Sequence, residues 1–174
     1  VGASVNITDP YVGCFATTQF CFYATNCLGS INLQGGQLLC VTGLALAAAI
    51  AIGGTTGSRS VNVAGTIINS ARGNAVYIGA GTSRNLRIRP TVNNDRVSAT
   101  AAAVLIEGTL QACDISPMVD GGADAFASGI RVNGTGDARN EYNLTGINSA
   151  CIAGGSANKL IRNAVQIVAT GLTG

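Results

Sequence analysis

The chain has 174 residues, ten basic against eight acidic side chains, no histidine and no tryptophan. Hydrophobic residues make up 47% of it and aromatic ones only 5%, so disorder is excluded and a core must be filled by Ala, Val, Ile and Leu. Without histidine, the chain itself supplies no His-ligated zinc site, Ser-His-Asp triad or Cys-His dyad.

The first 29 residues hold Cys14, Cys21 and Cys27 and most of the aromatics, in Tyr11-Val-Gly-Cys-Phe and Phe20-Cys-Phe-Tyr. This composition predicts a compact cap or attachment segment, with a local disulfide among its cysteines. The six cysteines permit fifteen full pairings, which spacing alone does not resolve. Cys21 and Cys27 lack the CxxC spacing of zinc sites, and no metal or cofactor is expected. Cys113 falls at an inward repeat position and Cys151 borders one, so both read as small buried hydrophobes.

From residue 30 onward the chain repeats itself. Ala48-Ala-Ile-Ala-Ile-Gly-Gly54 aligns with Asn74-Ala-Val-Tyr-Ile-Gly-Ala80, Ala102-Ala-Val-Leu-Ile-Glu-Gly108 and Ser128-Gly-Ile-Arg-Val-Asn-Gly134. The first branched residue falls at Ile50, Val76, Val104 and Ile130, in steps of 26, 28 and 26. A second family interleaves with the first: Ile31-Asn-Leu33, Val61-Asn-Val63, Leu86-Arg-Ile88, Cys113-Asp-Ile115 and, more weakly, Tyr142-Asn-Leu144. Past Ile147 the register loosens, although Asn163-Ala-Val-Gln-Ile-Val-Ala169 echoes the segment at Asn74. The stretch Leu44–Ile52 is about half the length that spans a bilayer, so no membrane insertion is expected. Its first half has helical propensity, while its second half keeps the strand register.

Short alternating segments bounded by Gly, Asn, Asp, Ser and Thr cannot bury a face alone, but stacked in parallel they form continuous aliphatic columns. The predicted fold is therefore all-β: a single-stranded parallel β-helix, or solenoid, of about five coils over residues 30–174, with the cysteine-rich cap at 1–29. Segments such as Ser60-Val-Asn-Val-Ala-Gly-Thr-Ile-Ile-Asn69 and Asn85-Leu-Arg-Ile-Arg-Pro-Thr-Val-Asn-Asn94 resemble the right-handed parallel β-helix family. That family includes pectate-lyase-like enzymes and the tailspikes and fibres of tailed bacteriophages. The resemblance covers roughly residues 30 to 170, is architectural and brings no catalytic motif.

Residues between the inward pairs must stack into outward columns. One column reads Asn32, Asn62, Arg87, Asp114 and Asn143, with Ala64, Arg89, Ser116 and Thr145 two residues further on. Asn62, Arg87, Arg89 and Asp114 are the candidate ligand-binding residues, since such groups hydrogen-bond sugar hydroxyls. The competing reading is a solvated face in which Arg87 and Asp114 pair across rungs. The other column, Ala51, Tyr77, Leu105 and Arg131, is apolar for an outward face and is expected to be an oligomer interface, centred on Tyr77, Leu105 and Arg131.

Catalysis has thinner support. Asp120 and Asp124, in Val119-Asp-Gly-Gly-Ala-Asp124, form the weak catalytic candidate pair, with Glu107 and Asp114 as another, but Asp-Gly-Gly is ordinary loop chemistry. Arg131 is the one candidate for a lyase base. Arg84, Arg87, Arg89 and Arg96 cluster without stacking aromatics or a basic balance, so nucleic acid is not an expected partner. The resemblance to phage spikes implies a virion, or otherwise extracellular, structural or receptor-binding component. It also implies a homotrimer that contacts other virion proteins through its N-terminal segment and recognises host-surface polysaccharide. The alternative is a polysaccharide-degrading enzyme of pectate-lyase or depolymerase type.

Overall fold

A computed structural model describes residues 3–14, 20–40, 48–70, 73–94, 98–120, 126–135, 139–147, 152–154 and 159–160. One circuit of the chain follows another. The strands are β1 (Ser4–Thr8), β2 (Tyr11–Cys14) and β3 (Phe22–Thr25), then β4 (Ser30–Gln34), β5 (Gln37–Cys40) and β6 (Ala48–Gly53). Next come β7 (Val61–Ser70), β8 (Asn74–Ile78) and β9 (Thr82–Arg84), then β10 (Arg87–Asn94), β11 (Ser98–Ile106) and β12 (Thr109–Gln111). The remaining strands are β13 (Asp114–Ile115), β14 (Met118–Asp120), β15 (Phe126–Val132), β16 (Glu141–Tyr142), β17 (Thr145–Ile147), β18 (Ile152–Gly154) and β19 (Lys159–Leu160).

Among the described residues every strand pairing is parallel. The first sheet runs β1-β4-β7-β10-β13-β16-β19, with β2, β5, β14 and β17 extending it past a bend. The second runs β18-β15-β11-β8-β6-β3, and a short third sheet joins β9 and β12. The protein is a parallel β-solenoid, as the repeat spacing requires.

The aliphatic columns form the core. Ile50, Val76, Val104 and Ile130 stand in one register, all fully buried. Leu33, Val63, Ile88, Ile115 and Tyr142 make a second column, and Leu38, Ile68, Val92 and Val119 a third. Each such side chain withdrawn from water stabilises the fold by about 1.5–3 kcal/mol before the entropy of ordering the chain is set against it. The β-branched and leucine side chains also suit a strand.

The terminal circuit obeys the same register. Ser4–Thr8 pairs residue for residue with Ser30–Gln34, and Phe22–Thr25 with Ile50–Gly53. The cysteine-rich segment is thus the end coil of the same ladder. Strand β6 bears out the extended reading for the second half of Leu44–Ile52, while the echo at Asn163–Ala169 lies outside the described residues.

One register differs from expectation. Tyr142 pairs with Ile115, not Cys113. The place over Cys113 belongs to buried Asn140, whose Oδ1 accepts the Cys113 N–H at 3.0 Å and whose Nδ2 donates to the Leu110 carbonyl at 2.9 Å. A two-residue slip keeps inward residues inward, so periodicity alone did not expose it.

The corners explain the polar punctuation. Ser60, Asn85 and Ala112 all sit in the left-handed region, with φ of 54°, 53° and 53°. Backbone hydrogen bonds from Ser60 N–H to Arg84 and from Asn85 N–H to Gln111 stack these corners on one another. Asn tolerates this conformation and Ala does not gain from it. Ala112→Gly is therefore expected to raise stability by about 1 kcal/mol, or about 2–4 °C in Tm for a chain of this size; thermal unfolding checks this, and a lower Tm would contradict it.

Candidate ligand groove

Parallel stacking turns each outward register into a vertical row of equivalent side chains. On the first sheet the row is Asn6, Asn32, Asn62, Arg87, Asp114 and Glu141. Asn32 Nδ2 donates to Asn6 Oδ1 at 2.8 Å, a side-chain rung parallel to the backbone ladder. Two residues on, Gln34, Ala64 and Arg89 form a neighbouring row.

Two adjoining depressions lie along these rows, at the corner marked by Ser60, Asn85 and Ala112. One, of about 320 Å³, is lined by Ser30, Asn32, Ser60, Asn62, Asn85 and Arg87. The other, of about 430 Å³, is lined by Asn85, Leu86, Arg87, Arg89, Ala112, Asp114, Arg139 and Glu141. Asn85 and Arg87 are common to both, so the depressions form one groove along the solenoid axis. All four sequence-predicted ligand residues, Asn62, Arg87, Arg89 and Asp114, line it.

Its electrostatics differ from the simplest expectation. Asp114 pairs with Arg89, not with its register neighbour Arg87: Arg89 Nε lies 3.1 Å from Asp114 Oδ2, and the terminal guanidinium nitrogen contacts the same oxygen. The Ser116 hydroxyl donates to the other carboxylate oxygen. The long arginine stem reaches diagonally across the rung to the short aspartate. With the Arg89 side chain 56% exposed, the pair contributes well under 1 kcal/mol, but it occupies Asp114. The Arg87 side chain, at the junction of the two depressions, has no hydrogen-bond or ion-pair partner among the described residues.

Spacing did not reveal Glu141 and Arg139, because the Tyr142 slip displaced the row. With Asn140 taken as the inward residue, alternation places both outward. Asn143 consequently stands beside Ser116, and Thr145 pairs with Met118 beyond the bend.

The second outward row contains Tyr23, Ala51, Tyr77, Leu105 and Arg131. The expected row is present, but its centre is covered within the chain: Leu105 is 7% exposed and Ala51 2%. The apolar surface comes from Tyr23, 63% exposed, and from half-buried Tyr77. Phe20 stacks on Tyr23 with ring centroids 5.3 Å apart, and a cavity of about 280 Å³ lies between Tyr23 and Tyr77 over Ala51. Tyr23 was legible 28 residues before Ala51, one ordinary repeat step.

The catalytic candidates do not converge on the groove. Asp120 belongs to β14, in register with Asn93 and Ile147 beyond the bend, and Asp124 lies outside the described residues. Glu107 follows the second-sheet strand β11 and accepts a hydrogen bond from Tyr77 Oη at 2.8 Å, whereas Asp114 is on the first sheet, and Arg131 is on the second. Among the described residues no group of three or more Cys, Asp or Glu is arranged to hold a metal ion. Compared with known proteins, the chain matches no family model, no curated protein and no solved structure.

Burial, then the hydrogen bond to Glu107 and its negative charge, pushes the Tyr77 hydroxyl up to about 12 from its ordinary value of 10.0. The folded chain holds this proton more tightly than the unfolded one. The stability it contributes is therefore complete below pH 10 and is lost as the pH rises towards 12. Glu107→Gln removes the charge and leaves the burial, so the phenol should titrate lower than in the parent, though still above 10. Phenolate absorbance titrations of the two proteins check this; superimposable curves would contradict it.

Proposed function

We propose that the protein is a structural or receptor-binding component of a virion, a tail spike, fibre or capsid appendage, that recognises a host-surface glycan through the groove on its first sheet. The observation that carries this reading is the row Asn32-Asn62-Arg87, which offers amides and an uncommitted guanidinium at successive rungs about 4.8 Å apart. A ladder of planar donors and acceptors suits a polymer of repeating, hydroxyl-rich units. An open groove along the axis accommodates a chain, not a single small molecule.

The proposal extends to assembly. The exposed aromatic end of the second row would be buried in every copy of a closed cyclic oligomer, most simply a trimer. The aromatic, cysteine-rich end coil supplies a distinct surface for attachment to other virion proteins.

Binding to a panel of bacterial surface glycans tests the recognition. Arg87→Ala should weaken binding to the best glycan about tenfold, equivalent to about 1.4 kcal/mol, and Asn62→Ala by less. Unchanged affinity in both variants would contradict it, and release of shortened or unsaturated sugars by the parent would favour the enzymatic alternative. For the assembly, native mass should correspond to three chains and fall to one in Tyr23→Asp; an unchanged native mass in that variant would contradict the aromatic interface.

A further inference from the structure

The net charge of the chain is only +2, yet five of its nine arginines, Arg59, Arg84, Arg87, Arg89 and Arg139, gather around the corner marked by Ser60, Asn85 and Ala112. Three of them occupy two successive rungs. Arg59 and Arg84 are register neighbours in a parallel bridge, their backbones about 4.8 Å apart along the solenoid axis. Arg59 directly precedes Ser60 and Arg84 directly precedes Asn85, and both of those residues line the groove. Their other neighbours, Ser58 and Ser83, are buried, so alternation turns Arg59 and Arg84 outward. Both are exposed, as is Arg87.

The fold makes no use of these three guanidiniums. The side chains of Arg59, Arg84 and Arg87 have no hydrogen-bond or ion-pair partner among the described residues. Other groups hold this part of the coil: Ser58 N–H donates to Ser83 Oγ at 3.2 Å, and Ser58 Oγ donates to the Ala24 carbonyl at 2.9 Å. The acids of the groove lie on later rungs, where Asp114 is taken by Arg89 and Glu141 is the register neighbour of Asp114. Like charges on neighbouring rungs repel one another, and an anion laid across them removes that repulsion.

We infer that the ligand of the groove is an acidic polysaccharide whose anionic groups are bound by Arg59, Arg84 and Arg87, so that the binding surface continues round the corner to the edge of β9. The inference rests on the glycan reading above and adds the charge and the path of the ligand. A guanidinium presents paired donors to a carboxylate, sulfate or phosphate group, while Asn32, Asn62 and Asn85 are left to serve hydroxyls. A nucleic acid fits less well, because none of the residues lining the two depressions is aromatic and bases find nothing to stack on.

Binding of the full chain to polygalacturonate, to its fully methyl-esterified form, to dextran sulfate, to dextran and to an oligothymidylate, each at low and high salt, provides the test. At least one of the two acidic polysaccharides should bind about tenfold more tightly than its neutral counterpart, and which one does so identifies the anionic group. That binding should weaken as salt is raised. The double variant Arg59→Gln/Arg84→Gln should bind the acidic polymer about tenfold more weakly with an unchanged Tm, since neither side chain has a partner to lose. Neutral polymers bound as tightly as the acidic ones, or an acidic polymer bound equally by parent and double variant, would overturn the inference and leave the glycan reading standing. An oligothymidylate bound more tightly than either acidic polysaccharide, or no polysaccharide bound at all, would overturn both.

Discussion

Lateral hydrogen bonding between parallel, equivalent strands is the constraint on which everything else depends. It satisfies the backbone of each short strand through its neighbours, which no three- to five-residue segment achieves alone. It also forces like positions to superpose. Superposition makes the interior a set of aliphatic columns, such as Ile50-Val76-Val104-Ile130, and makes the exterior a set of rows. The groove and the aromatic row are both consequences of which residue type fills a given row.

The interior was legible because burial is periodic and unforgiving. An inward strand position is apolar unless its polar atoms find partners, and the recurrence of Ile and Val pairs every 25 to 30 residues leaves few alternatives to parallel stacking. The corners were legible as turns from Asn, Gly and Ser. One detail escaped. Asn140 satisfies an inward position with an amide because its side chain takes a backbone N–H and a carbonyl of the preceding circuit, and a hydrophobicity pattern does not reveal such a substitution. Its effect was to shift Tyr142 and hide Glu141.

The outward rows were legible in membership and not in detail. Alternation placed Arg87, Arg89 and Asp114 on one face, but which arginine meets the aspartate depends on the reach of the side chains, and Arg89 takes it. That choice leaves the Arg87 side chain uncommitted at the junction of the two depressions. Leu105 was correctly placed on the second sheet's outer row, yet it lies between Tyr77 and Arg131 and is largely covered. Outward direction and solvent exposure part company wherever long neighbours flank a shorter side chain.

Methyl–methyl nuclear Overhauser spectroscopy on a sample labelled at Ile, Leu and Val tests the central claim most directly, because it reads the superposition itself. The account requires connectivities running Ile50 to Val76, Val76 to Val104 and Val104 to Ile130, together with Val63 to Ile88 and Ile88 to Ile115. Cross-peaks that instead joined these residues in antiparallel hairpin pairs, or scattered them among unrelated neighbours, would contradict the parallel ladder and remove the groove built on it.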